Sequence, residues 1–142
     1  MLIFNRAQPR DIEEVEALYT QCGYSGGVGE GDKVFAAHAD GVLVGAVRLC
    51  WEHDFLSLRG MQILPAFQRQ GVGTQLLQEC IGQIEQVCYC LPYKHLVSFY
   101  GQVGFELVTS NNAPSQLAER LGAYLERGLN VVLMRRAVKP AV

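Results

Sequence analysis

Residues 64–77 read LPAFQRQGVGTQLL. A strand-like apolar run ends at Pro65, an amide-rich turn follows, and Gly71 and Gly73 open a segment whose apolar residues recur with helical spacing: Val72, Leu76, Leu77, Cys80, Ile81 and Ile84. A helix start presents unpaired N–H groups and a partial positive charge, and glycine lets a bulky anion approach that backbone without meeting a Cβ. The stretch therefore suits a pyrophosphate, although by themselves the glycines serve a tight strand-to-helix turn equally well. A dinucleotide fingerprint would need a third glycine at Leu76, and a P-loop would need a Gly-Lys-Ser/Thr run; neither is present.

Working outward, strands and helices alternate. LIFNRA (2–7) reads as a strand and RDIEEVEALYTQCGY (10–24) as a helix with Ile12, Val15, Leu18, Tyr19 and Cys22 on one face, opened by an Asp11-x-x-Glu14 capping pattern. Five glycines crowd residues 23–32. KVFAAHAD (33–40) and VLVGAVRLCWEH (42–53) form two strands joined at Asp40-Gly41, a dipeptide suited to a type I′ turn. FLSLRGMQILP (55–65) is the strand entering the opening stretch, QVCYCLP (86–92) a strand after its helix, and HLVSFYGQVG (95–104) a short helix. FELV (105–108) is a strand, and APSQLAERLGAYLERG (113–128) a helix with proline in its first turn, Leu117, Leu121, Tyr124 and Leu125 on one face, and Gly128 as its stop. NVVLMRRA (130–137) closes as the last strand. With no repeat and no shift in composition, the 142 residues are expected to form a single α/β domain around a mixed sheet.

Composition narrows the function. Hydrophobic residues make up 49% of the chain and charged residues 18%, as in ordinary globular proteins, and no apolar run reaches the roughly 20 residues of a membrane span. The N-terminal MLIFNRAQPRD lacks the apolar core of a signal peptide, so the expected location is the cytoplasm. A net charge of −2 with scattered Lys and Arg argues against a nucleic-acid partner, which needs a concentrated basic face. The five cysteines are an odd set in a chain long enough to build its own core, which favours reduced thiols, and no zinc spacing is completed, so no metal is expected. His95 and Cys90 carry no pattern that fixes them as a nucleophilic pair, and His38 reads as a structural strand residue.

Gln68-x-x-Gly71-x-Gly73, preceded by the strand LRGMQILP and followed by GTQLL, resembles motif A of the GNAT N-acetyltransferase superfamily. Downstream, FYGQVGFELV, with Tyr100 near the end of a short helix and Gly104-Phe105 after it, resembles the family's F-Y-x-x-x-G-F segment. The likeness runs over nearly the whole chain, and only the helix at 113–127 reads as an addition. It implies a single GNAT-like domain over 1–142: a central, mixed, splayed β-sheet flanked by helices, with an extra helix before the last strand.

It also implies acetyl-CoA as co-substrate, with the acetyl group passing directly to a primary amine. The backbone N–H groups of Arg69, Gln70, Gly71, Val72, Gly73 and Thr74 would cradle the pyrophosphate in the loop that Gln68 opens. Main-chain groups of Met61 and Ile63 would pair with the pantetheine arm, and an N–H near Ile63 would polarise the thioester carbonyl. Tyr100 would protonate the departing thiolate, a task within reach of a phenol of pKa about 10. Ser57 and Arg59 fall at the inward positions alternating from Met61; neither is a convincing base, and Arg59 suits either a substrate carboxylate or a structural ion pair. Glu52, His53 and Asp54 could pass a proton through water or simply form a solvated hairpin tip. The family's Asn position is held here by Tyr93, which would line the wall between coenzyme and acceptor. Tyr24, in the glycine-rich loop, would lie on the acceptor side. The expected partner is a small-molecule amine, with no nucleic acid, no membrane and room for a homodimer. A coenzyme-binding sensor or interaction module without turnover is the alternative.

Overall fold

The computed structural model describes residues 1–138. Along the chain lie β1 (Leu2–Arg6), α1 (Ile12–Gln21), β2 (Lys33–Ala39), β3 (Val42–Glu52), β4 (Phe55–Ile63), α2 (Val72–Ile81), β5 (Cys88–Cys90), α3 (Val97–Gly101), β6 (Phe105–Leu107), α4 (Ser115–Glu126) and β7 (Met134–Arg136). The strands hydrogen-bond in the order β1-β2-β3-β4-β5-β7-β6, an open seven-stranded sheet. It is mixed, because β4 and β5 run parallel while β1–β2, β2–β3, β5–β7 and β6–β7 are antiparallel. The parallel ladder has two rungs, Leu56 to Cys88 and Ser57 to Tyr89, and β4 runs on past them to Ile63. The fold class expected from the sequence is the one found, including α4 immediately before the last strand.

The described chain falls into two compact units. The first holds residues 1–51 and 58–84. Its β2–β3 hairpin turns through Asp40 and Gly41, both at positive φ (48° and 85°), as a type I′ turn requires. One core forms where Val15, Leu18 and Tyr19 of α1 pack with Val34, Ala36, Leu43 and Ala46. α2 packs beside β1 and β2 and buries Val72, Leu76, Leu77, Cys80 and Ile81, the stripe its spacing predicts. The entry to α1 differs from expectation. The Asp11 carboxylate accepts from the Gln8 N–H at 2.7 Å, one turn early, and closes a 3-10 turn at Pro9–Asp11 rather than capping α1 itself. Pro9 fixes its own φ near the value that this turn needs.

The second unit comprises residues 52–57 and the chain from Glu85 onward. Its core gathers Phe55, Leu117 and Leu133, with Tyr89, Leu91, Val108, Ala113 and Leu121 around them. Pro114 precedes α4 instead of lying within its first turn, and its carbonyl accepts the first helical hydrogen bond, from Ala118. Gly128, at φ 79°, ends the helix, with the Leu129 N–H bonded back to the Tyr124 carbonyl. Of the apolar face expected on α4, Leu117 is buried but Leu125 is 51% exposed, so the core covers the first turn of the helix and not its last. The expected 86–92 and 130–137 strands are shorter, at Cys88–Cys90 and Met134–Arg136, with Val131 in an isolated bridge to Tyr93.

Candidate active site

The opening motif lies within the first unit. β4 ends at Ile63, a 3-10 turn covers Pro65–Phe67, and α2 starts at Val72 behind Gly71. Gly71 is left-handed at φ 83°, and the point where a Cβ would sit has no atom within 4 Å. Arg69 is also left-handed, at φ 63°, a conformation a non-glycine residue adopts at a cost of about 1–2 kcal/mol. No side chain caps α2, whose first internal bond is Gln75 N–H to the Gly71 carbonyl at 3.1 Å. Helix geometry thus leaves the N–H groups of Val72, Gly73 and Thr74 without an acceptor inside the helix. Open space, a strained turn and an uncapped helix start are what a diphosphate needs.

The side chains of the loop brace it from within. Gln68 donates its amide to the Ile63 carbonyl at 3.0 Å, and Gln70 donates to the Ala66 carbonyl at 2.8 Å. The Ile63 carbonyl assigned to the pantetheine arm is therefore already bonded, leaving one lone pair for a ligand. A Cβ on Gly45 of β3 would come within 2.6 Å of Ile63 Cδ1, so a side chain there would push the Ile63 methyl aside. Met61 and Ile63 are both half-buried on that strand.

Tyr24 belongs to a cluster that sequence reasoning did not single out. Arg48, in the middle of β3, is only 3% exposed. Its Nη1 donates to Asp32 Oδ2 at 2.9 Å and its Nη2 to the Tyr24 hydroxyl at 2.8 Å, while its guanidinium lies 5.6 Å from the Tyr19 ring centre and 6.0 Å from that of Tyr24. The glycine-rich loop is consequently tied down, with further bonds from Gly29 N–H to Asp32 and from Val28 N–H to Glu16. Burial opposes the Arg48 charge, but the Tyr24 and Tyr19 phenol groups, the Cys50 thiol and the hydrogen bond to Asp32 hold its pKa above the usual value. Burial also raises the Tyr19 phenol, more than Arg48 lowers it. The signal in the sequence was a lone cation in the apolar run VLVGAVRLC, which a buried strand tolerates only with a partner.

In the second unit, Tyr100 is 5% exposed and makes edge-on ring contacts with Phe99 and Phe105. Tyr93 is 48% exposed and stacks on His95. Cys90 is buried and that burial pushes its thiol pKa well up, while His95 is exposed and stacked on Tyr93. Glu52 is not part of a solvated tip. Its carboxylate takes both arms of the Arg120 guanidinium, one at 3.0 Å, and also accepts from the Ser57 hydroxyl. His53, at φ 57°, and Asp54 are the exposed turn residues, and Arg59 is half-buried. No group of three or more metal-ligating side chains occurs among the described residues.

The acetyltransferase (GNAT) domain family model matches residues 30–107, more than half of the chain. No curated protein sequence matches. The fold is similar to that of a GNAT-family acetyltransferase from Streptococcus pneumoniae, with a TM-score of 0.74 and 17% identity over 98% of this chain and 100% of that one. It is similar to ribosomal-protein-S18-alanine N-acetyltransferase from Escherichia coli, with a TM-score of 0.73 and 16% identity over 100% and 97%. It also resembles N-acetylglutamate synthase from Neisseria gonorrhoeae, solved with coenzyme A and N-acetyl-glutamate, at a TM-score of 0.71 and 18% identity; there 99% of this chain spans 36% of the other. With the family model covering β2 through β6 and the sheet order and uncapped α2 in place, the chain belongs to the GNAT acetyltransferase family.

Proposed function

We propose that the protein transfers acetyl from acetyl-CoA to the primary amine of a small molecule, by direct attack of the amine within a ternary complex. The observation that carries this reading is the uncapped start of α2 behind left-handed Gly71, whose surroundings are open where a Cβ would stand. The backbone N–H groups of Arg69 through Thr74 bind the pyrophosphate, and the main chain of Met61 and Ile63 holds the pantetheine arm as an added strand would. Acetyl-CoA, when bound, supplies an activated thioester carbonyl. A β4 N–H near Ile63 stabilises the charge that develops on the carbonyl oxygen, a contribution typically worth ~10²–10³ in rate. Tyr100 delivers a proton to the departing sulfur.

The incoming amine must shed a proton before attack, since alkylamines have a pKa of about 10.4. With Glu52 held by Arg120 and Ser57, the exposed His53 and Asp54 and bulk water are the routes left from the sequence candidates. The test is release of coenzyme thiol on adding a panel of small amines, with the acetylated product identified by mass spectrometry. Amine-dependent release supports the transferase. Binding of acetyl-CoA with no amine-dependent release favours a sensor module and overturns the proposal.

A further inference from the structure

β1 lies at one end of the sheet and pairs only with β2, so among the described residues its other edge is open. The ladder itself tells which groups face outward. Asp40 N–H donates to the Met1 carbonyl at 3.0 Å and Ala7 N–H to the Val34 carbonyl at 2.8 Å, and bonded and non-bonded pairs alternate along an antiparallel ladder. Ile3 and Asn5 therefore bond inward to His38 and Ala36, whereas Leu2, Phe4 and Arg6 aim their N–H and C=O groups away from β2.

Natural edge strands are commonly blunted by lysines, prolines or bulges, because a bare row of backbone donors and acceptors invites another strand. β1, LIFNR, has no proline, keeps an unbroken register with β2 and carries its one charge at its last residue. Its other end is apolar and open to solvent, with Met1 84%, Ile3 49% and, across the hairpin, Val42 62% exposed. Symmetry selects the occupant. The outward residues 2, 4 and 6 are evenly spaced about Phe4, so a second copy running antiparallel sets Phe4 opposite Phe4 and, on either side, Leu2 opposite Arg6. Three residue pairs result, each exchanging two hydrogen bonds, and no outward group is left over.

Charge fits the same register. Arg6 is exposed and has no hydrogen bond or ion pair among the described residues. Antiparallel pairing brings it to the Leu2 end of the other copy, beside the turn at Asp40, whose side chain is 85% exposed and holds the Met1 ammonium through one oxygen. Each copy thus offers a cation at one end of the strand and an anion at the other, and a two-fold axis matches them. Parallel pairing would set Arg6 against Arg6, which is destabilising.

We propose that the open edge of β1 is a self-association surface, on which a second copy of this chain adds its own β1 antiparallel, centred on Phe4, to form a two-fold dimer with one continuous sheet. Sedimentation velocity follows the mass of the full chain over roughly 1–200 μM, the range in which small, weak interfaces form. The 15.7 kDa monomer is expected to give way to a species of twice that mass as concentration rises. Phe4→Pro isolates the edge. The Phe4 N–H has no partner within the monomer, so the fold, checked by circular dichroism, should persist while dimerisation weakens at least ~10-fold. Arg6→Glu and Asp40→Lys should each weaken the dimer about tenfold, since the contact occurs twice in it, and the double variant should recover to within a few-fold of wild type. A chain that stays monomeric throughout, or a folded Phe4→Pro that dimerises like wild type, overturns the proposal. Should Phe4→Pro not fold, the charge variants decide: recovery of the dimer in the double variant upholds the pairing, and failure to recover overturns it.

Discussion

Glu52 and Arg120, 68 positions apart, form a two-armed ion pair in which each carboxylate oxygen accepts from a different guanidinium nitrogen. Both side chains are more than three-quarters buried, and the Ser57 hydroxyl completes the carboxylate's shell. A paired, hydrogen-bonded carboxylate is a poor proton acceptor, so this geometry makes Glu52 a fastening between the β3–β4 turn and α4.

Arg120→Ala should therefore lower stability by about 1–2 kcal/mol, the scale of a lost two-armed, partly screened pair. Amine acetylation per folded molecule should stay within a few-fold of wild type. Urea denaturation and steady-state kinetics check the two halves. A loss of ~10³ in kcat with unchanged stability would return Glu52 and its partner to the chemistry.

Thiol burial makes a prediction about alkaline pH. Burial pushes the Cys50 thiol up to about 12, against the lowering effect of Arg48, and burial likewise raises Cys90. An unfolded thiol releases its proton near pH 9 while folded Cys50 keeps it to about 12, so the unfolded state holds fewer protons across that window. The stability present below pH 9 should fall as pH rises from 9 to 12, by on the order of 1 kcal/mol per pH unit for each such thiol. Denaturation midpoints at pH 8 and pH 10.5 measure it. Replacing Cys50 by Ala should flatten the slope, and an unchanged slope would contradict the assignment.

Tyr100→Phe keeps the ring that packs against Phe99 and Phe105, so fold and coenzyme affinity should change little. If Tyr100 protonates the leaving sulfur, kcat falls by roughly 10²–10³. The deficit should shrink with an acyl thioester whose thiolate leaves more easily. Wild-type turnover by Tyr100→Phe, under conditions where chemistry limits, would show the phenol to be packing only.

What could be read from the sequence was what local chemistry determines. Asp40-Gly41 gives the positive φ values of its turn, Gly128 ends α4, and the stripe from Val72 to Ile81 names the buried face of α2. The turn into α2 was legible for the same reason, since Gly71 adopts φ 83° and a helix follows at once. Pairings between distant residues were not. Nothing in the spacing of Glu52 and Arg120 or of Asp32 and Arg48 foretells their meeting, because the sheet brings them together. Leu125 misled because periodicity marks a face without saying how far along the helix the core extends. The Gln68 side chain reaches back to the Ile63 carbonyl across the turn at Pro65–Phe67, a contact that the spacing of the motif does not reveal.

The most direct test of the coenzyme site is calorimetry with acetyl-CoA on a pair of variants at Gly71. Gly71→Asn and Gly71→Glu each put a side chain on a left-handed residue, at a cost of about 1–2 kcal/mol in stability for glutamate and less for asparagine, which tolerates that conformation, but only the glutamate places a negative charge at the start of α2. The account predicts that Gly71→Asn binds acetyl-CoA within about tenfold of wild type, while Gly71→Glu, folded by circular dichroism, loses at least ~10²-fold in affinity. Wild-type affinity in folded Gly71→Glu would contradict it.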